Sequence, residues 1–415
     1  RTPPFPLFPR FPSAIMMLLL ISYSFGAGRG SEAGVGWNVA RGMCERGHDV
    51  TVVTTSEFHH LNAPAVAQME RPPRLIEWDC GITHFASSRS YRIWQRRIEA
   101  PLRELCRRER FDLAHHVTFN QYRHIHDVFA TGLPYLIGPV GGAETIPLRL
   151  WRDLPWATRF KELLRRIPWD VRLLTRRVRH SKSRGLILAS TPQTLERLTH
   201  TGGLSNVELM PIISIASNEI RDDAPTPADE PYLIFDGGLR PEKGLRMLLR
   251  SLAALYREGE SIPLRIAAVR PEDQGTLLAL ARSCGLPEQW LQPMPFMKRS
   301  ELLPIIRSAR GFVSVGFRDA GCMALLEAVA LGVSTLCLDL PGQSWLPDDY
   351  ACKVPVTART EEDLRAALKK IIHAAPRPAE WHRERARWLC EHMSWDVRLS
   401  QLENHYKHLL SLETL

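Results

Sequence analysis

Two carboxylates eight positions apart, Asp319 and Glu327, bracket an apolar stretch in Asp319 to Gly332, DAGCMALLEAVALG. A glutamate followed by small and apolar residues on a helix is expensive to bury unless something pairs with it, and ribose hydroxyls are one such partner. A helix-capping Asp and an internally salt-bridged Glu are the structural alternative. Phe235 to Leu245, FDGGLRPEKGL, ends an apolar run in two glycines and then carries Arg240 and Lys243. Cations facing a cleft at that place neutralise charge that grows on a departing diphosphate, although a solvated helix start also accounts for Lys243.

Three further segments bear polar groups at the ends of apolar runs. In Gly26 to Gly36, GAGRGSEAGVG, glycines precede a helix pattern, so unobstructed backbone amides at a helix start offer a site for a diphosphate. A dinucleotide loop fits less well, because the spacing is not a clean GxGxxG and no acidic residue ends TVVTT; a tight turn without a ligand stays open. Phe111 to Phe119, FDLAHHVTF, sets His115 and His116 at the end of a strand, where alternation lets at most one face a cleft. Gly138 to Pro147, GPVGGAETIP, with Gly141, Gly142 and Glu144, is either a glycine-rich approach to a sugar or acceptor or a tight crossover.

Positioning these groups requires two cores. The chain has 415 residues, beyond one comfortable hydrophobic core, and domains of about 200 residues are the expectation. With 44% hydrophobic and 24% charged residues the composition is that of an ordinary globular protein. Short β-branched or Leu-rich runs alternate with helix-length amphipathic segments, the pattern of βαβ units. Strands are expected at residues 17–22, 50–54, 113–116, 135–137 and 186–189, then at 232–235, 264–269, 312–315 and 335–338. The polar, Pro-rich stretch Ser217 to Pro231 reads as a linker. The expected organisation is an extension outside the fold at 1–15, a first domain at 16–228, a second at 229–394, and a final helix at 395–415 that crosses back to the first.

Eight scattered cysteines with no CxxC and no zinc spacing suit free thiols in a cytoplasmic setting. The apolar run Ala14 to Ile21 is too short to span a bilayer and leads straight into a glycine-rich turn, so it is expected as a strand rather than a signal peptide. Formal net charge is +9, and Trp151 to Arg184 alone carries eleven Lys or Arg against three acidic residues. Within it Phe160, Leu164, Ile167, Val171, Leu174 and Val178 recur at helical spacing. Residues 160–184 are thus either an interfacial surface for anionic lipid or helices packing that stripe on the first domain. The basic stretch has no nucleic-acid-binding motif, so no nucleic-acid partner is expected.

Taken in order, GxGSExxVG, a His after a later strand, RPEKGL, and an acidic residue seven intervening positions before Glu, followed by LDLPG, resemble the retaining glycosyltransferases of family four. The resemblance covers Met16 to Leu415 and includes Ser394-Trp395-Asp396 before the last helix. It implies an α/β GT-B fold: two Rossmann-like, doubly wound parallel-sheet domains with a central cleft. It also implies transfer of a sugar from a nucleotide diphosphate sugar to a hydroxyl acceptor, a glycan or lipid-linked saccharide, with retention and without a metal or other cofactor. Gly30 and Ser31 would lie near the donor phosphates, with Arg240 and Lys243 on the diphosphate. Glu327 would hold the ribose, and Asp319, beside Gly321 and Cys322, the transferred sugar. His116, or else His115, would contact the sugar near the reacting carbon. Gly238 stands where the family usually has Arg, Asp319 where it usually has Glu, and Ala267 to Glu272 lacks the glycines common after that strand. The rival readings are a GT-B nucleotide-sugar epimerase, a non-catalytic carbohydrate- or partner-binding GT-B protein and, more distantly, a Rossmann dehydrogenase.

Overall fold

Each apolar run expected as a strand is a strand in the computed structural model, which describes residues 15–85, 87–167 and 169–411, leaving aside the side chains of Ser31, Trp169 and Asp170. The proposed extension, apart from exposed Ile15, lies outside the described residues. The first sheet contains β1 Met17–Ser22, β2 Asp49–Thr54, β3 Arg74–Glu77, β4 Leu113–Thr118, β5 Tyr135–Val140, β6 Gly185–Ala189 and β7 Val207–Leu209. All pair in parallel, in the order β3-β2-β1-β4-β5-β6-β7. The second contains β8 Leu233–Asp236, β9 Leu264–Ala267, β10 Leu291–Pro293, β11 Gly311–Ser314, β12 Thr335–Leu338 and β13 Cys352–Val354. These are also parallel, in the order β10-β9-β8-β11-β12-β13.

Four strands escaped the pattern of apolar runs, and all four are sheet edges: β3, β7, β10 and β13. A central strand such as β5 or β11 is buried along its whole length and therefore reads as a largely apolar run. An edge strand needs less apolar surface, so RLIE, VEL, LQP and CKV carry too little to stand out.

Chain crossings tie the two domains together. Ile215 bridges to Ser394 just before the final helix, Trp395–Ser411. That helix lies on the first domain's Ser31–Glu45 helix, where a Cβ on Gly42 would stand 2.2 Å from Leu399. Arg46 adds hydrogen bonds to Glu403 at 3.2 Å and Ser400 at 3.1 Å. On the other flank, Arg250 of the second domain grips Asp153 of the first at 2.6 and 3.1 Å.

The basic segment forms helices Trp156–Arg166 and Trp169–His180. Its expected apolar stripe is split: Val171 and Leu174 are buried, whereas Phe160, Leu164 and Ile167 face outward. No helix among the described residues is long and apolar enough to cross a membrane.

Candidate active site between the domains

The carboxyl ends of β1, β8 and β11 converge on the cleft, the edge at which open parallel sheets hold ligands. From β1 the chain turns through Gly26–Gly30 into the Ser31–Glu45 helix. Gly34 and Gly36 are glycines for a packing reason: a Cβ would lie 2.1 Å from the Arg29 carbonyl and 2.3 Å from Ser22 Oγ. Gly30, by contrast, has open space where a Cβ would be. Ser31 begins the helix, but its side chain is outside the described residues.

Facing this turn, the Met323–Ala330 helix presents Glu327, whose side chain is only 8% exposed. Its partner is Arg299, whose Nε donates to Glu327 Oε1 at 2.6 Å. Arg299 Nη2 also donates to Glu219 at 3.0 Å. Burial pushes the Glu327 carboxyl up, and Arg299 opposes that shift. Gly28, Arg29, Gly30, Arg299, Glu327 and Trp395 share a cavity of about 210 Å³. Whole-ligand pockets run from about 300 Å³, so this one is sized for part of a small-molecule ligand. A larger cavity of about 510 Å³ opens at the opposite ends of β1 and β2, around Met17, His48 and Arg74, and contains none of the candidate site residues.

A second ion pair lies alongside. β8 ends at Asp236, and the tight turn Pro241–Lys243 brings Lys243 Nζ to 3.1 Å from Asp319 Oδ2. Asp319 Oδ1 accepts from the Gly321 amide at 3.1 Å, which stiffens the loop before the helix. Burial works against charge on Lys243, but Asp319 and Asp236 outweigh it and hold the ammonium above its ordinary range. Partly buried Asp236 is also pushed up, chiefly by desolvation, with Lys243 opposing. Gly238 adopts φ +54°, a left-handed backbone that an arginine there would strain, and exposed Arg240 follows it. Cys322 is buried against Ser314, and burial pushes its thiol up to about 12.

Neither histidine has a free ring nitrogen. The Gly138 carbonyl 2.6 Å from His115 Nε2 can only accept, so Nε2 carries the proton and Nδ1 accepts from Tyr406 Oη at 2.6 Å. His115 thus ties the final helix to the first sheet, with both ring nitrogens engaged. His116 faces the other way, with Asp127 2.6 Å from Nδ1 and the Phe119 carbonyl 3.2 Å from Nε2. Glu144, expected near the acceptor, is turned inward: it accepts from Thr191, Thr194 and the Gly142 amide at 2.6, 2.8 and 2.8 Å. Its loop does meet the second domain, since a Cβ on Gly141 would lie 2.8 Å from Ala320.

Residues 216–388 match the family of glycosyl transferases group 1. The match takes in nearly all of the second domain. All four members of the two cleft ion pairs, Lys243, Asp319, Arg299 and Glu327, fall inside the match. Over 184 residues the chain is 26% identical to a D-inositol 3-phosphate glycosyltransferase of Rhodococcus erythropolis, covering 43% of this chain and 41% of that relative. Among solved structures it resembles a sucrose-phosphate synthase from Thermosynechococcus elongatus, with TM-score 0.69, 14% identity, and 95% and 99% of the two chains covered. It also resembles an Anabaena protein solved with UDP and glucose, with TM-score 0.62, 11% identity, and 94% and 99% covered. The fold is GT-B.

Within the matched segment, Arg299 and Glu219 are candidate site residues that motif reading passed over. Arg299 lies far in sequence from Glu327, and Glu219 farther still from Arg299, so no spacing announces them. Glu32 of the first domain was also missed. Its Oε1 accepts from the Asn120 amide at 3.0 Å, and burial lifts its carboxyl to about 7 against the pull of that amide and of His116. The GSE triplet holds the signal for Glu32, but only the fold sets it beside the His116 loop.

Tyr406→Phe would leave His115 Nδ1 buried without a donor, at a cost of about 1–3 kcal/mol. Calorimetry should show the lower melting temperature, with donor binding retained. Burial, against hydrogen bonding to Gly138, depresses His115 from 6.5 to about 3. The unfolded chain then takes up the proton first, so this stability is present above pH 6.5 and is lost as pH falls toward 3.

Proposed function

We propose that this protein is a retaining glycosyltransferase that moves a sugar from a nucleoside diphosphate sugar to a hydroxyl on a glycan or lipid-linked saccharide. The observation that carries the reading is the pairing of Lys243–Asp319 and Arg299–Glu327 on one wall of a GT-B cleft, opposite the Gly30 turn. Lys243 and the backbone amides of that turn stabilise the leaving diphosphate while the sugar becomes oxocarbenium-like, and Arg240 reaches in from the exposed rim. Glu327 accepts from ribose hydroxyls once the donor competes with Arg299. Asp319 accepts from hydroxyls of the transferred sugar, one methylene further back than a Glu would. Charge on the diphosphate is met by these side chains and amides, with no resident metal in the scheme and no covalent nucleophile.

A melting-temperature screen of UDP-, GDP-, ADP- and TDP-sugars tests this directly. One donor class should raise the melting temperature of the wild type and not that of Glu327→Ala. If no donor shifts the wild type, or if the variant shifts equally, the reading fails.

A further inference from the structure

An amphipathic helix on a globular protein ordinarily turns its apolar stripe inward. Trp156–Arg166 does the opposite. Trp156, Phe160, Leu163, Leu164 and the following Ile167 lie within an arc of roughly 100° at helical spacing, and all five are exposed, Trp156 by 81% and Phe160 by 56%. Of the twelve exposed large hydrophobic side chains among the described residues, seven fall between residues 148 and 173. Monomeric soluble proteins rarely leave a contiguous apolar patch of this kind uncovered.

The inward face of the same helix is polar and bound to the cleft. Glu162, with a side chain only 2% exposed, accepts from the Ile146 amide at 3.2 Å and pairs with Arg318, the neighbour of Asp319. Arg165 donates to the Gly142 carbonyl at 3.1 Å and Arg166 to the Ile146 carbonyl at 2.8 Å. The outward row therefore sits on a rigid mount continuous with the loop that floors the cleft.

The charge around the row decides what covers it. Arg149, Arg159, Lys161, Arg172 and Arg176 are exposed beside it. The acidic residues Asp153 and Glu162 are buried and neutralised by Arg250 and Arg318. An apolar strip with basic flanks is complementary to a bilayer whose headgroups are anionic.

We propose that this face docks on an anionic lipid bilayer, with Trp156 and Phe160 entering the headgroup boundary and the basic side chains meeting lipid phosphates. Docking would hold the cleft entrance at the membrane, where a lipid-linked acceptor is found. The inference rests on the proposed glycosyl transfer only for the nature of that acceptor.

The test is flotation of the full chain with vesicles of phosphatidylglycerol and phosphatidylcholine in equal parts, or of phosphatidylcholine alone, at low and high salt. Wild type should float with the anionic vesicles and be released by salt. The double variant Trp156→Glu, Phe160→Glu should bind at least about tenfold less tightly, since two apolar anchors are lost. The proposal is overturned if wild type ignores anionic vesicles, binds neutral ones equally well, or is unaffected by the double substitution. It is likewise overturned if sedimentation shows that the substitutions split a dimer while neither form binds vesicles, because a second copy is then the occupant. Donor binding by the same samples, through residues these substitutions do not touch, reports separately on the glycosyltransferase reading.

Discussion

Lys243→Ala lowers donor turnover by about 10²- to 10³-fold, the loss typical when one group that stabilises developing negative charge is removed. The reason lies in how the ammonium is held. Lys243 is anchored on the short turn after Gly237 and Gly238, with its Nζ 3.1 Å from Asp319, and Asp236 and Asp319 keep it charged despite burial. The pair satisfies itself in the structure; on the proposed reading a diphosphate, with more charge than one carboxylate, competes for the lysine and frees Asp319 for the sugar. Because no bond of the fold depends on turnover, kcat should fall far more than the melting temperature. Lys243→Arg keeps the charge but replaces a compact ammonium with a planar fork, so partial recovery is expected. Steady-state turnover with saturating donor, beside calorimetry, checks both. Near-wild-type kcat in Lys243→Ala would remove this lysine from the chemistry.

The Arg299–Glu327 pair predicts an asymmetry. Glu327→Ala removes the donor's ribose acceptor and should lower turnover by orders of magnitude, yet it leaves Arg299 bound to Glu219 and partly in solvent. Arg299→Ala strands Glu327, whose side chain is 8% exposed, without its cation. Stranding one member of a buried pair costs about 3–5 kcal/mol, so Arg299→Ala should melt well below Glu327→Ala. The sign with pH follows. Burial already raises the Glu327 carboxyl, and without Arg299 it rises further. The unfolded chain then ionises first, so the Arg299→Ala penalty is largest at neutral pH and shrinks as acid protonates Glu327. Melting curves of the two variants from pH 5 to 8 decide it. Equal melting temperatures throughout would show that the pair does not act as described.

Much of this site was legible in residues 235–245 and 319–332, because their glycines, cations and carboxylates lie at the ends of strong apolar runs. The paired partners were not legible. Arg299 opens a helix of its own, Glu219 sits in what reads as a linker, and hydrogen bonds between residues 28 and 80 positions apart leave no periodicity to find. His115 and Glu144 looked available for chemistry because a side chain's type does not disclose what already binds it. In the structure Tyr406, Thr191 and Thr194 occupy them.

What the amino-acid sequence by itself determined was the alternation of strand and helix, the nine strands buried on both faces, and the places where the chain turns at the cleft. Those follow from local rules: a strand covered on both sides must be apolar throughout, and a close helix–strand approach must be glycine. Tertiary structure alone decided which carboxylate meets which cation and which way the Trp156–Arg166 helix faces. A helical stripe of Trp, Phe and Leu has the same period whether it is buried or bare. Here the surrounding first domain binds Glu162, Arg165 and Arg166 and leaves the apolar row uncovered.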